Sequence, residues 1–299
     1  MTFKSGLAFP LLAASLLIGC GPSDEPKQAA AEPAAPTPPA AEAAPSDSYL
    51  EKIKARDKLI VGVFSDKPPF GFVNEQGEYV GFDTDIAKRF AKDLLGDEKK
   101  VEFVVVEPAS RIPFLQSDKV DLILANMTVT PERAEAVDFT NPNLRVAVQA
   151  LVADGSDVQK LDDLADKTTI VTTGTTADIW LTKNHPEWKL LKFEKNSESL
   201  QALANGRGDA YAQDNLVLFS WAKQNPGYRV LAETLGDEAP IAPAVKKGNS
   251  ELRDWVNDEL AKLGEEKFLL SLYDQYVRPE LAEGTDPEAI IVEGGKWVE

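Results

Sequence analysis

The sequence predicts an α/β protein of two lobes joined by two extended strands, and three observations carry that expectation. Short apolar runs suited to strands alternate with segments of helical period. The alternation comes as two successive series rather than one. Two extended crossings, near residues 145–153 and 240–246, bracket the second series, and a domain reached by two strands can move as a body about a hinge.

In the first series, strands are expected at 59–64, 101–106 and 120–125, with helices at 83–95 and 111–115. The helix at 83–95 is well marked: Ile86, Phe90 and Leu94 fall on one stripe, and Asp83 and Asp85 suit the positive end of the helix dipole. The second series has strands at 168–172, 190–193 and 209–213, with helices at 175–183, 197–204 and 215–223. A strand at 241–246 and closing helices at 252–263 and 265–276 follow. The first lobe is thus expected to comprise 49–146 and a return segment, 241–299, and the second lobe 147–240. No internal repeat is visible.

The N-terminal stretch reads differently. Lys4 precedes an apolar run at 7–18, too short to span a bilayer but of the length of a signal segment. Small Gly19 then precedes Cys20, the only cysteine in the chain. This resembles a bacterial lipoprotein signal, which implies removal of residues 1–19 and lipid attachment to Cys20. Two acyl chains, at about 0.8 kcal/mol per buried methylene, hold a protein on a membrane surface. Residues 20–48 are rich in Ala, Pro, Glu and Ser and lack the apolar side chains needed to offset ordering entropy, so they read as a tether.

Charge and composition exclude several classes. The chain has 32 basic and 49 acidic residues, a formal net charge of −17, and loss of Lys4 with residues 1–19 shifts it to −18. Such a charge repels nucleic acid. No second apolar run approaches the length of a membrane span. With Cys20 consumed by lipid, no thiol remains for a disulfide, a metal or a nucleophile, and the single histidine, His185, lies in the turn-like Asn184-His185-Pro186-Glu187. No metal and no cofactor are therefore expected.

Three segments place unusual polar groups at element ends, where open α/β sheets bind ligands. In Asn126-Met127-Thr128-Val129-Thr130-Pro131-Glu132-Arg133, Thr130 can cap a helix whose first residue is Pro131. Arg133 then sits in the first turn, where the dipole disfavours a cation, so it needs a partner: a bound carboxylate, or a local Asp138 or Glu132. In Thr173-Gly174-Thr175-Thr176-Ala177-Asp178, a glycine after a strand leads into a helix start, either an anion seat or an ordinary threonine cap. In 209–215, Asp214 either caps the following helix or offers its carboxylate to an ammonium group. Together the three supply what an α-amino acid zwitterion requires.

The run from Ile60 through Val63-Phe64-Ser65-Asp66-Lys67-Pro68-Pro69-Phe70-Gly71, followed by Gly81-Phe82-Asp83-Thr84-Asp85-Ile86, resembles the opening of periplasmic amino-acid-binding proteins of ABC importers, solute-binding family 3. The likeness continues through 121–133, 136–139, 167–177, 207–214 and 241–248 and covers nearly all of 57–295; Phe90 departs from it, where the family prefers a smaller aliphatic residue, and only local repacking is expected there. The resemblance implies the type II periplasmic-binding-protein fold, with the ligand enclosed between the lobes. It implies Arg133 as the clamp for the α-carboxylate, with the backbone of Thr128 and Thr176 beside it and Thr175 at the same helix start. It implies Asp214 as the acceptor for the α-ammonium group, with the Asn126 carbonyl as a second one.

The resemblance puts Phe64 and Lys67 in a loop where other members contact the ligand side chain and matches Arg111 to an arginine that reaches it in members for acidic amino acids; Tyr211 is a further expected ligand-site residue. Lys67 is either a ligand contact or a solvated loop residue, and Arg111 either reaches the ligand or pairs with Glu107 one turn earlier. A basic pair beside an aromatic wall favours a short polar or anionic side chain. The stretches 124–133, 174–178 and 290–296 look most like cysteine-binding members, so L-cysteine is the expected ligand, with aspartate, glutamate, asparagine and glutamine behind it. The resemblance further implies delivery to an ABC permease in the cytoplasmic membrane, a location in the periplasm or at the cell surface, and a monomer. Two rival classes stand beside it: an enzyme of the same fold, such as a dehydratase, and a surface sensor or adhesion module. Tyr211, Glu107 or Lys67 would have to serve an enzyme as acid or base, and no matched pair is evident, so no enzymatic activity is expected.

Overall fold

A computed structural model describes residues 48–296. The signal segment 1–19, Cys20 with its expected lipid, and the tether as far as residue 47 lie outside the described residues.

Each lobe is built on a five-stranded sheet of the same plan. In the first, the strand order is Val101–Val105, Leu59–Val63, Leu122–Ile123, Ala244–Lys246, Val137–Phe139. In the second it is Lys189–Phe193, Thr168–Thr172, Ala210–Asp214, Val148–Ala153, Tyr228–Val230. The first three strands of each order are parallel and the fourth runs against them. Parallel strands covered by helices lose contact with water on both faces. Accordingly Ala210–Asp214 is buried along its whole length, including the polar Gln213 and Asp214.

The helix Phe82–Leu95 buries its expected stripe against the first sheet, with Ile86 and Phe90 fully enclosed. Phe90 meets Trp255 edge to face, with ring centroids 5.7 Å apart, so the larger residue is absorbed by an aromatic pair. Trp255 comes from Ser250–Glu265, the long helix that closes the first lobe.

The crossings differ in detail from expectation. Residues 241–246 form two short strands rather than one: Ala239–Ile241 pairs with Leu144–Val146, whereas Ala244–Lys246 joins the first sheet. Ala242 and Pro243 separate them, and Pro243 has no N–H to give to either ladder. The crossing at 145–153 is likewise divided at Ala147, whose N–H and carbonyl are both held by Asn215 at the start of the helix Asn215–Gln224. The two connections therefore pair with each other between the lobes. The expected helix at 265–276 is broken by Lys267, which adopts φ +54°, and continues as Phe268–Leu272 followed by a π-helical turn at Tyr273–Val277. Short elements without a sequence signal of their own include the helix Tyr49–Arg56, clamped by the Glu251 carboxylate at Ser48 and Tyr49, and the three-stranded sheet containing Asp66–Lys67.

Candidate functional site

The C-terminal ends of the parallel strands in both lobes face one another. From the first lobe come Phe64 and Lys67 after Leu59–Val63, and Asn126 and Thr128 after Leu122–Ile123. From the second come Gly174 to Thr176 after Thr168–Thr172, and Gln213 and Asp214 at the end of their strand. Between them lies a narrow cavity lined by side chains of both lobes.

Thr130 caps the helix Pro131–Ala136 by accepting the Arg133 N–H at 3.2 Å, which fixes the Arg133 backbone. The Arg133 guanidinium is buried and donates to the Thr128 carbonyl at 2.8 Å and, across the lobe junction, to the Gly174 carbonyl at 3.1 Å. The Thr176 hydroxyl lies 3.5 Å from it and itself donates to Thr128 Oγ1 at 3.0 Å. Neither local acid serves Arg133. Asp138 accepts from Lys247 and the Gly248 N–H, and Glu132 is exposed, 4.0 Å from Lys183. Among the described residues no carboxylate lies within ion-pairing distance of Arg133.

Asp214 stands at the N-cap of Asn215–Gln224 but makes no side-chain cap bond; the Asn215 side chain accepts the Leu216 N–H instead, at 2.9 Å. The Asp214 carboxylate points into the cavity, 3.7 Å from the Lys67 ammonium. Thr175 does cap its helix, accepting the Asp178 N–H at 3.2 Å, and it also lines the cavity. The cap and the anion-seat readings of that segment are therefore not exclusive.

Lys67 is no solvated loop residue: it is 2% exposed, donates to Asn126 Oδ1 at 2.7 Å, and lies 3.5 Å from Gln213 Oε1. Burial lowers its pKa to about 8, with Arg111 repulsion adding to the fall and Asp214 opposing it. Arg111 does not pair with Glu107. Its guanidinium donates to the carbonyls of Pro108, Ala125 and Asn126, at 3.1, 2.9 and 3.1 Å. The Asn126 carbonyl, expected to face an ammonium group, thus already accepts one bond and keeps one lone pair. Both Lys67 and Arg111 lie over the Phe64 ring, at 5.1 and 5.7 Å from its centroid.

Tyr211 does not line the cavity. Its hydroxyl is shared among Thr172 Oγ1 at 2.9 Å, Asn196 Oδ1 at 2.8 Å and Gln213 Nε2 at 2.8 Å, so it supports the cavity wall from behind. Gln213 and Asp83 take part without having been expected from the sequence. Gln213 lies on the same strand face as Tyr211, two residues on, and an amide inside an apolar strand is the signal that could have found it. Asp83 Oδ2 accepts the Asn126 N–H at 2.7 Å and so holds Asn126 in its left-handed conformation, φ +42°. Burial raises the Asp83 pKa to about 7, against the pull of that hydrogen bond, Lys67 and Arg111.

With this geometry in place, comparison with known proteins decides the family. Residues 59–279 match the model of the bacterial extracellular solute-binding proteins, family 3. The chain belongs to that family. As a family 3 solute-binding protein it has the two-lobed architecture of type II periplasmic binding proteins. It is similar to the cysteine-binding protein of Campylobacter jejuni, with 45% identity, a TM-score of 0.80 and coverage of 82% of this chain and 98% of that one. The solute receptor for L-cysteine of Neisseria gonorrhoeae is 48% identical, with a TM-score of 0.79 and coverage of 82% and 99%. An ABC transporter glutamine-binding protein of Bacillus subtilis is 37% identical over 78% of this chain and 86% of its own length. Among the described residues, no helix of this family 3 protein is long and apolar enough to cross a membrane.

Proposed function

We propose that this protein captures a small polar L-amino acid between its lobes, L-cysteine first, and delivers it to an ABC permease. One observation carries the reading. Arg133 from the first lobe and Asp214 from the second border the same cavity, and neither is spent on the local partner that would make it structural. A guanidinium for the α-carboxylate and a carboxylate for the α-ammonium group then hold opposite poles of one zwitterion. Relatives named for binding cysteine or glutamine support the same class of ligand.

Size and charge favour cysteine within that class. The lobes meet closely around these residues, which suits a short side chain over a long one. Lys67, Arg111 and Arg133 outnumber Asp214 there, so a cationic side chain is repelled and a short polar or anionic one accepted. Glutamine is the second reading, carried by the Bacillus subtilis relative and by the amide and ammonium groups of Asn126, Gln213 and Lys67. Aspartate, glutamate and asparagine stand behind both.

The lobes in this reading are 49–146 with 241–299, and 147–240, and the whole is anchored to a bacterial membrane by lipid on Cys20. Binding proceeds without chemistry in this reading: the Tyr211 hydroxyl is held behind the wall by three hydrogen bonds, and the carboxylate beside Lys67, Asp214, is the group that takes the ligand's ammonium. Calorimetric titration with the twenty amino acids is the test. Micromolar or tighter binding of L-cysteine, about −8 kcal/mol, with the ligand recovered unchanged, is the expected result. Binding confined to large apolar or cationic amino acids overturns it.

A further inference from the structure

The helix Asn196–Ala204 of the second lobe starts without a cap of its own. Its N-cap residue is Lys195, and no side-chain cap bond is made there. The first-turn amide is satisfied from the other lobe: the Asp66 carboxylate accepts the Ser197 N–H at 2.8 Å, and the Asp66 carbonyl accepts from Asn196 Nδ2 at 3.2 Å. Asp66 is held on the first lobe by a two-residue strand, Asp66–Lys67, paired with Phe72 and Gly71. Its neighbour Lys67 reaches the second lobe too, at Gln213 and Asp214.

The two ends of this contact are joined inside the second lobe. Asn196 accepts from the Tyr211 hydroxyl at 2.8 Å, and that hydroxyl accepts from Gln213 Nε2, also at 2.8 Å. Gln213 borders the cavity. A continuous set of buried hydrogen bonds therefore runs from the cavity wall to the helix start that Asp66 caps.

We propose that Asp66 is a positioning residue for ligand retention, which caps the second-lobe helix in trans only when the lobes are together. An uncapped helix start leaves its amides to water, whereas a carboxylate there gains both a hydrogen bond and the dipole interaction. Because the cap comes from the opposite lobe, that gain belongs to the closed form and is lost on opening. The Gln213–Tyr211–Asn196 bonds keep the helix start in register with the cavity, so a wall set for the ligand also presents the amide to Asp66. This rests on the preceding reading only in taking ligand capture as the event that closes the lobes.

The test follows the Ser197 amide itself in the full chain, by hydrogen exchange measured by NMR, unliganded and in a mixture of the twenty L-amino acids. Protection of Ser197 is expected in the wild type, falling about 3- to 30-fold in Asp66→Ala, the factor that loss of a cap carries, and returning in Asp66→Asn, since Asn caps as well as Asp. The dissociation rate of L-cysteine rises by the same factor in Asp66→Ala with little change in association, and thermal stability of the unliganded Asp66→Ala protein stays that of the wild type. Equal protection in wild type and Asp66→Ala, or none in the wild type under either condition, overturns the proposal. Failure of L-cysteine to bind the wild type counts against the ligand reading instead and leaves the exchange comparison intact. Protection in the wild type that amino acids do not alter, lost in Asp66→Ala, supports the cap while counting against amino acids as the closing ligand.

Discussion

Lys67 crosses between the lobes: its ammonium lies 3.7 Å from the Asp214 carboxylate of the opposite lobe, with side chains only 3% and 5% exposed. In the separated lobes each charge returns to water, so the pair is worth something only in the closed form. A partner removed from a buried pair leaves the other charge uncompensated, typically at about 3–5 kcal/mol, a cost that lobes opening as proposed would relieve. Lys67→Met is therefore expected to weaken ligand binding by roughly 2–4 kcal/mol while shifting the unliganded unfolding transition little. Calorimetry and urea unfolding read the two quantities separately. A large loss of unliganded stability would show that the lobes are held together without ligand.

Arg133 is expected to act through charge and shape at once. Arg133→Ala removes the guanidinium that bridges the Thr128 and Gly174 carbonyls and lines the cavity. The expected loss is roughly 2–5 kcal/mol in binding, because the ligand carboxylate is left buried and unpaired. Arg133→Lys should recover little, since an ammonium cannot serve two carbonyls and a carboxylate with planar geometry. A loss below threefold for Arg133→Ala in calorimetry removes this residue from the site.

Much of this was legible before the structure, for identifiable reasons. The helix Phe82–Leu95 announced itself because one face must be apolar, and Ile86 and Phe90 are indeed fully buried. Arg133 stands out in the sequence as a cation in a first turn, and it lies at the cavity wall with Glu132 and Asp138 turned to other partners. Gln213 carries little local signal, because its placement depends on the Tyr211 hydroxyl two positions back. Asp83 was read as a helix-start acid, which it is; that it also bonds the Asn126 N–H is a contact over 43 residues that no local pattern encodes. The split of 241–246 has only a weak local signal in Pro243, since Pro240 is accommodated within the strand Ala239–Ile241.

Asp83 sets a pH dependence. Its pKa rises from an ordinary 3.8 to about 7 on burial, so the folded protein binds this proton more tightly than the unfolded chain does. The stability it contributes is complete below about pH 4 and is lost as pH climbs to about 7, the unfolded carboxyl having ionised first. Asp83→Asn keeps an oxygen to accept the Asn126 N–H but cannot ionise. It is expected to match the wild type near pH 4 and to exceed it by roughly 2–4 kcal/mol at pH 8, because each tenfold gain in proton affinity on folding is worth about 1.4 kcal/mol. Urea unfolding at the two pH values checks this; equal differences at both would mean that Asp83 is not the group responsible.

Gly174 offers a way to separate closing from folding. It adopts φ +78°, and a Cβ built there would lie 2.9 Å from the Ala109 backbone, which belongs to the opposite lobe. Two penalties follow from Gly174→Ala, and they fall on different states. The left-handed backbone costs an alanine about 1 kcal/mol wherever the lobes are, so it lowers unfolding stability. The clash with Ala109 exists only when the lobes meet, so it lowers affinity. Gly206 supplies the control, with φ +67° and nothing within 4 Å of its would-be Cβ. Both alanine variants should lose about 1 kcal/mol of stability, whereas only Gly174→Ala should lose affinity, by about tenfold or more, through a faster dissociation rate. Equal affinities for the two variants would show that the closed form has room to spare at this point, and that contact between Gly174 and Ala109 does not limit how far the lobes approach.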